Sequence, residues 1–351
     1  MYALAVLSLL LYLLSRISMT VADFLCFKVA YVVRLSLAKV TGILPFSLAE
    51  LIIVTLPVLF VGLFLFVIFR PEDEDPIRIK RFFVTAFAIV SVFFTLFVFT
   101  DGCGYFGRPL DEKLGIEKNI VSADELKDTA EYLTDRVNAC AKDVSFVYGS
   151  FSVMPYSFKN MNARLNDAYD GMSKDLGFFR NFHSNLKPVV LSDAMSYAHL
   201  LGMYSYYTGE SNINVHFPDY TLPYTCAHEM AHQRGISKED EANFMAYLAC
   251  VSSDDCYINY CGYLNLLEYV YNALYSADKN AYYEVRARLN PQSDCELNAY
   301  SLFFRKYEKS SAAAVYSAVN DAHLKTNGQK AGEKSYGLVV DLAVAYIKEQ
   351  E

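Results

Sequence analysis

His228, Glu229 and His232 stand together in the run Leu222-Pro-Tyr-Thr-Cys-Ala-His-Glu-Met-Ala-His-Gln-Arg-Gly235. On an α-helix, residues four apart share a face one turn apart, so the two imidazoles can reach one Zn2+ ion at about 2.0–2.1 Å. Glu229, beside the first histidine, points toward a metal-bound water. It can take that water's proton and later pass it to a leaving amine. The chemistry these three residues suit is metal-assisted hydrolysis of a peptide bond. Pro223 is placed to open the helix and Gly235 to end it in a left-handed cap.

A zinc site of this kind needs a third protein ligand. Ser237-Lys-Glu-Asp240 has the form of a capping box, which predicts a second helix starting at Ser237. Glu239, Asp240 and Glu241 then compete. Asp240 can serve the cap. Glu241 shares a face with Phe244, Met245 and Leu248, and that apolar face must pack inward. A carboxylate on an inward face is costly unless something compensates it, and zinc would do so. Glu241 is therefore the expected third ligand, completing a His2Glu set with a fourth position open to water.

Two late residues could donate a hydrogen bond to the oxyanion that hydrolysis develops: His323 and Tyr336. His183, His199 and His216 have no ligand spacing and read as structural or surface side chains. Asn212–Phe217 alternates apolar and polar residues as a half-buried strand does, and could pair with an extended substrate backbone.

The surrounding elements are unusual in composition. The chain has 351 residues, 54% of them hydrophobic and 20% charged, too apolar for an ordinary soluble protein. Its net charge is −8, and it has no basic stripe, zinc-finger spacing or phosphate-binding loop, which argues against nucleic acid as a partner. Residues 48–69 and 82–100 are nearly uncharged and long enough to span a bilayer core of roughly 30 Å. Residues 2–14 form a third, short apolar run, and 18–40 an amphipathic helix lying on the membrane or beside the spans. Residues 1–100 are thus expected to be a membrane anchor, 101–115 a Gly- and Pro-rich linker, and 116–351 the domain bearing the motif. Arg70, Arg78, Lys80 and Arg81 between the two long spans place that loop in the cytoplasm and the domain outside the cell. Seven of the eight cysteines follow Thr100, and Cys256 and Cys261 could form a local disulfide outside the cytoplasm. Ser122 with Glu125 predicts a capped helix. Short strands are expected within 144–154, at 188–192, 202–207 and 212–217, with helices from Leu222 onward. The fold class is α+β and mostly helical, with a small sheet before the motif.

Several segments carry a family resemblance: Lys187-Pro-Val-Val-Leu-Ser192, Tyr207-Thr-Gly-Glu210, Asn212-Ile-Asn214, Cys226-Ala-His-Glu-Met-Ala-His-Gln-Arg-Gly235, Glu241-Ala-Asn-Phe244, Ala246-Tyr-Leu-Ala-Cys250 and Ser335-Tyr-Gly337. Together they resemble the bacterial domain-of-unknown-function family numbered 3810. That resemblance covers most of the chain and implies a membrane-anchored, zincin-like domain of the gluzincin type. It implies His228, His232 and Glu241 as ligands and Glu229 as base, but no substrate. The expected function is a zinc endopeptidase of the bacterial cell membrane, acting outside the cytoplasm on a peptide or protein. The alternative is a zinc-binding sensor or envelope-assembly module without hydrolytic activity, which would not need Glu229.

Overall fold

A computed structural model describes residues 2–69, 77–147 and 151–350. Part of the basic loop at 70–81 and residues 148–150 of the expected strand at 144–154 lie outside the described residues. The protein is α+β and mostly helical, as its sequence predicts.

The first helices are α1 (Tyr2–Ile17), α2 (Met19–Phe24), α3 (Ala30–Thr41), α4 (Leu48–Phe69) and α5 (Arg78–Phe97). A wide turn at Leu25–Val29 joins α2 to α3, and another at Val98–Gly102 extends α5. Helix α4 and the segment Ile79–Gly102 are long and apolar enough to cross a membrane. Helix α1 runs parallel to α5, with the Tyr2 hydroxyl donating to the Val84 carbonyl (3.0 Å) and Ser8 meeting Thr95 (3.3 Å).

Next come α6 (Leu110–Leu114), α7 (Ala123–Cys140), a two-stranded hairpin of β1 (Phe146–Val147) and β2 (Phe151–Ser152), and α8 (Phe158–Leu176). The predicted capping box forms at α7: the Glu125 amide donates to Ser122 Oγ, and the Ser122 amide to Glu125 Oε2. A second sheet is built from β3 (Lys187–Pro188), β4 (Gly202–Ser205) and β5 (Glu210–Ile213), with α9 (Ser192–Tyr197) between β3 and β4. Its order is β3-β5-β4. The β3–β5 pair is parallel, with Lys187 opposite Asn212, and β4–β5 is antiparallel, with Gly202 opposite Ile213. The rest is helical: α10 (Leu222–Gln233), α11 (Glu239–Val251), α12 (Cys256–Ala277), α13 (Lys279–Arg286), α14 (Pro291–Arg305), α15 (Ser311–Thr326) and α16 (Val339–Gln350). Helix α12 is central to the core and packs against α7, α10, α11, α13 and α16.

Four sequence expectations are corrected. The strand expected at 212–217 is β5, two residues earlier, and lies in the middle of its sheet with both edges taken. It cannot accept a substrate strand, and β4 is the edge nearest the motif. Cys256 and Cys261 both lie on α12, opened by an Asp255 cap, and all eight cysteines are free thiols. Five residues along a helix turn two side chains to different faces, so no local disulfide forms. The segment expected to be a loose linker is ordered: Tyr105 and Leu110 are buried, and Gly104–Phe106 and α6 are helical turns.

Last, residues 18–40 are not one amphipathic helix but α2 and α3 broken at Leu25–Val29, and they pack both beside the apolar helices, as expected, and against the motif-bearing domain. Cys26, Ala30, Arg34 and Ala38 are buried against the motif-bearing domain. Arg34, with 0% exposure, donates to the carbonyls of Cys26 (2.8 Å), Thr100 (3.0 Å) and Arg234 (3.3 Å). One guanidinium therefore joins α3, the end of the second apolar helix, and the residue capping α10. The start of α4 is fixed in the same manner. Glu210, buried on β5, accepts the amides of Leu48 (3.1 Å) and Ala49 (2.8 Å), supplying negative charge where a helix start presents unpaired N–H groups. Glu50 in turn accepts the amides of Val190 and Leu191.

Candidate metal centre

Every residue of α10 is buried. Pro223 lies in its first turn, where a missing N–H costs nothing. Gly235 follows its C-cap at φ +100°, and a Cβ there would sit 2.6 Å from the Arg34 guanidinium. The helix is anchored on three sides. Tyr169 donates to the Ala227 carbonyl (2.7 Å), Ser211 of β5 to the Glu229 carbonyl (2.9 Å), and Gln233 to the Gly209 carbonyl (2.7 Å). Arg234 reaches Asn166 and the Phe182 carbonyl and stacks 4.4 Å above Tyr169. Gln233 and Arg234 thus hold the motif in place, a role that sequence reading did not assign.

The geometry brings His228 and His232 together as predicted, their Nε2 atoms 3.0 Å apart. His232 Nδ1 meets the Ile236 carbonyl at 2.7 Å, which places its proton on Nδ1 and leaves the Nε2 lone pair free to bind a metal. The third group is Glu239. Its Oε2 lies 3.2 Å from His228 Nε2 and 3.3 Å from His232 Nε2. Ligands about 2.05 Å from one tetrahedral ion sit roughly 3.3 Å from each other, so the three atoms fit a single small cation. His228, His232 and Glu239 are each no more than 9% exposed.

Glu241, the expected third ligand, is placed elsewhere. Its carboxylate is buried as the face argument requires, but it accepts the Leu110 amide (3.0 Å) and the Lys238 ammonium (2.9 Å). The burial was legible; the compensating charge was a lysine, not a metal. Helix α11 starts at Glu239, two residues after the expected Ser237 cap, because Ser237 donates its hydroxyl to the Asp101 carbonyl (2.8 Å). That shift puts Glu239 at the first helical position, facing α10.

The electrostatics of the three groups call for positive charge between them. Burial would lower the His232 pKa, but Glu239 beside it and Glu229 behind push it up to about 10. Burial would raise the Glu239 carboxyl, yet the two imidazoles hold it well below the usual range. Without a metal the cluster gathers a proton, and a dication satisfies the same demand. Burial raises the Glu229 carboxyl against the pull of His228 and His232. Glu229 Oε2 has no hydrogen-bond partner. Gly202, the first residue of β4, passes so close that a Cβ would lie 2.6 Å from Glu229 Cγ and Oε1. Only glycine leaves that carboxylate its position.

His228 and Glu229 open onto a cavity of about 550 Å3, walled by α12, α15, the segment before β4 and the turn at 332–338. Tyr336 lies on its wall, with Asn320 donating to its hydroxyl (3.5 Å) and Asn243 to its carbonyl (3.3 Å). Tyr316, unmarked by sequence reading, lines the same cavity. For both phenols, burial and then the Glu239 carboxylate raise the pKa, so each keeps its proton. His323 does not line the cavity. It packs against Phe97 and lies 3.4 Å from the Tyr105 hydroxyl. His199 lines the cavity but is engaged with the Tyr307 carbonyl (3.2 Å), while His183 and His216 pair with Asp170 and Asp193 on the surface. A second group that could hold a cation, Asp167, Asp170 and His183, is not buried.

No curated protein and no solved structure matches this chain. The family described as "Protein of unknown function (DUF3810)" matches residues 27–344, and the chain belongs to that family.

Proposed function

We propose that this protein is a membrane-anchored zinc metallopeptidase with a gluzincin-type site, in which His228, His232 and Glu239 hold the ion and Glu229 is the general base. The observation that carries the reading is one constellation: two Nε2 atoms and a carboxylate oxygen within 3.3 Å of one another, with Glu229, its Oε2 unpartnered, beside them on a cavity wall.

Zinc, when bound, polarises a carbonyl and lowers the pKa of water. The protein supplies the rest. Glu229, beside His228 on the cavity wall, takes a proton from a water in the cavity and returns it to the departing amine. Tyr336 and Tyr316 offer protonated phenols to the carbonyl oxygen as it gains charge, the part assigned by sequence to Tyr336 or His323. An extended peptide can add its backbone along β4, whose first residue borders Glu229. A purely structural metal site gains nothing from a buried carboxylate at position 229 with one oxygen left unpartnered.

Membrane anchoring follows from α4, whose apolar surface is almost wholly unburied, unlike that of a core helix. The start of α4 and the end of the second apolar segment are tied to the motif-bearing domain through Glu210 and Arg34, so the site lies at the end of the spans away from Phe69 and Arg78. The four basic residues of the segment 70–81 favour the cytoplasmic side, which supports a site outside the cytoplasm. The test is metal content and peptide cleavage by the full chain purified in detergent. About one zinc per chain and cleavage abolished by a chelator and restored by zinc are expected. Zinc binding without any cleavage across a broad peptide library would overturn the peptidase reading.

A further inference from the structure

Helix α12 places a polar stripe on the cavity. Asn265, Glu268, Tyr269 and Asn272 fall at helical spacing and all line it, while Leu264, Leu267, Val270 and Leu274 on the other faces are buried in the core. The stripe runs from buried Asn265 to exposed Asn272. Asn265 is already committed, donating to the carbonyls of Tyr220 (3.2 Å) and Cys261 (2.8 Å). Glu268, halfway along, makes no hydrogen bond or ion pair among the described residues. Its nearest source of positive charge, Arg286, is occupied by Asp294 at 2.7 Å. Glu268 is half-buried, and burial pushes its carboxyl up to about 7 against the pull of Arg286.

Away from the metal centre the charged lining of the cavity is acidic. Glu229, Glu268 and Glu333 line it, and among the described lining residues there is no Lys or Arg. Glu333 is satisfied by Ser317 (2.6 Å) and Asn320 (3.4 Å), which leaves Glu268 as the unanswered charge away from the metal centre. Tyr269 and Tyr300 line the same cavity, and aromatic rings also favour cations. Away from the metal position, an anionic group would meet these carboxylates and, among the described lining residues, no lysine or arginine.

We propose that Glu268 receives an ammonium group of the substrate, so that the site selects peptides carrying positive charge beside the bond presented to Glu229. This rests on the hydrolytic reading above, and two sources share the chemistry: a lysine side chain or a free amino terminus. The test uses the zinc-loaded full chain carrying Glu229→Gln, which holds peptide without consuming it. Three alanine-based hexapeptides are titrated: N-acetylated with one lysine, N-acetylated with norleucine in its place, and the norleucine peptide with a free amino terminus. One cationic peptide is expected to bind at least tenfold more tightly than the acetylated norleucine peptide, and which one does so identifies the source. Adding Glu268→Gln, close in shape, should reduce that preference to less than twofold. No preference, or a preference that survives Glu268→Gln, would overturn the assignment. A Glu268-dependent preference in a protein that cleaves no peptide would leave the assignment standing and remove the peptidase reading alone.

Discussion

Glu239→Gln is expected to weaken zinc binding by about a hundredfold or more, while Glu241→Gln leaves zinc affinity within a few-fold of wild type. A ligating carboxylate contributes charge and a direct bond, and its loss exceeds the roughly 10–100-fold typical of outer partners. Glu239 Oε2 is the carboxylate oxygen that lies within 3.3 Å of both imidazole Nε2 atoms. Glu241 instead answers Lys238 and the Leu110 amide. Its replacement should cost stability, about 1–3 kcal/mol for a buried donor left unsatisfied, and not metal. Competition against a chromophoric chelator separates the two variants. Equal zinc affinity in Glu239→Gln and wild type, with loss in Glu241→Gln, would restore the sequence-based ligand set.

The second large effect is expected far from the metal. Arg34→Ala should destabilise the folded protein by about 3–5 kcal/mol. A hydrogen bond from a charged group contributes about 1.5–3 kcal/mol, and the change also leaves the Cys26, Thr100 and Arg234 carbonyls short of a donor in a buried space. Lysine is not a substitute, because one compact ammonium cannot reproduce the fork that reaches three segments. Since Arg34 grips the Arg234 carbonyl at the end of α10, zinc affinity should fall along with the melting temperature. Unchanged thermal unfolding of Arg34→Ala in detergent would show that the apolar helices and the site are mechanically separate.

How much of this was legible depended on the range of the interaction. The histidine pair, its helix and the Ser122 cap rest on contacts within four residues, and sequence spacing states them directly. The carboxylate that meets the two histidines was misplaced because the start of α11 is decided by Asp101, which takes the Ser237 hydroxyl from 136 residues away. The same holds for β5. Glu210, Ser211 and Asn212 are polar yet buried, satisfied by Leu48 and Ala49, by the Glu229 carbonyl, and by Ser47 in turn, so an apolar alternation test misses the strand. Arg34 looks like a solvated charge until α5 and α10 are brought around it. Glu268 did carry a sequence signal: a carboxylate on a helix whose other faces are apolar, the argument spent on Glu241. Tyr316 carried none.

Zinc content and peptide turnover of Glu229→Gln, measured beside wild type, test the central claim most directly. The amide keeps the shape of the side chain, and Glu229 is not among the three groups that converge on the metal position. Zinc stoichiometry equal to wild type is expected, with cleavage reduced by about 10²–10⁴-fold, the usual contribution of a general base. Cleavage at the wild-type rate with zinc retained would contradict that claim.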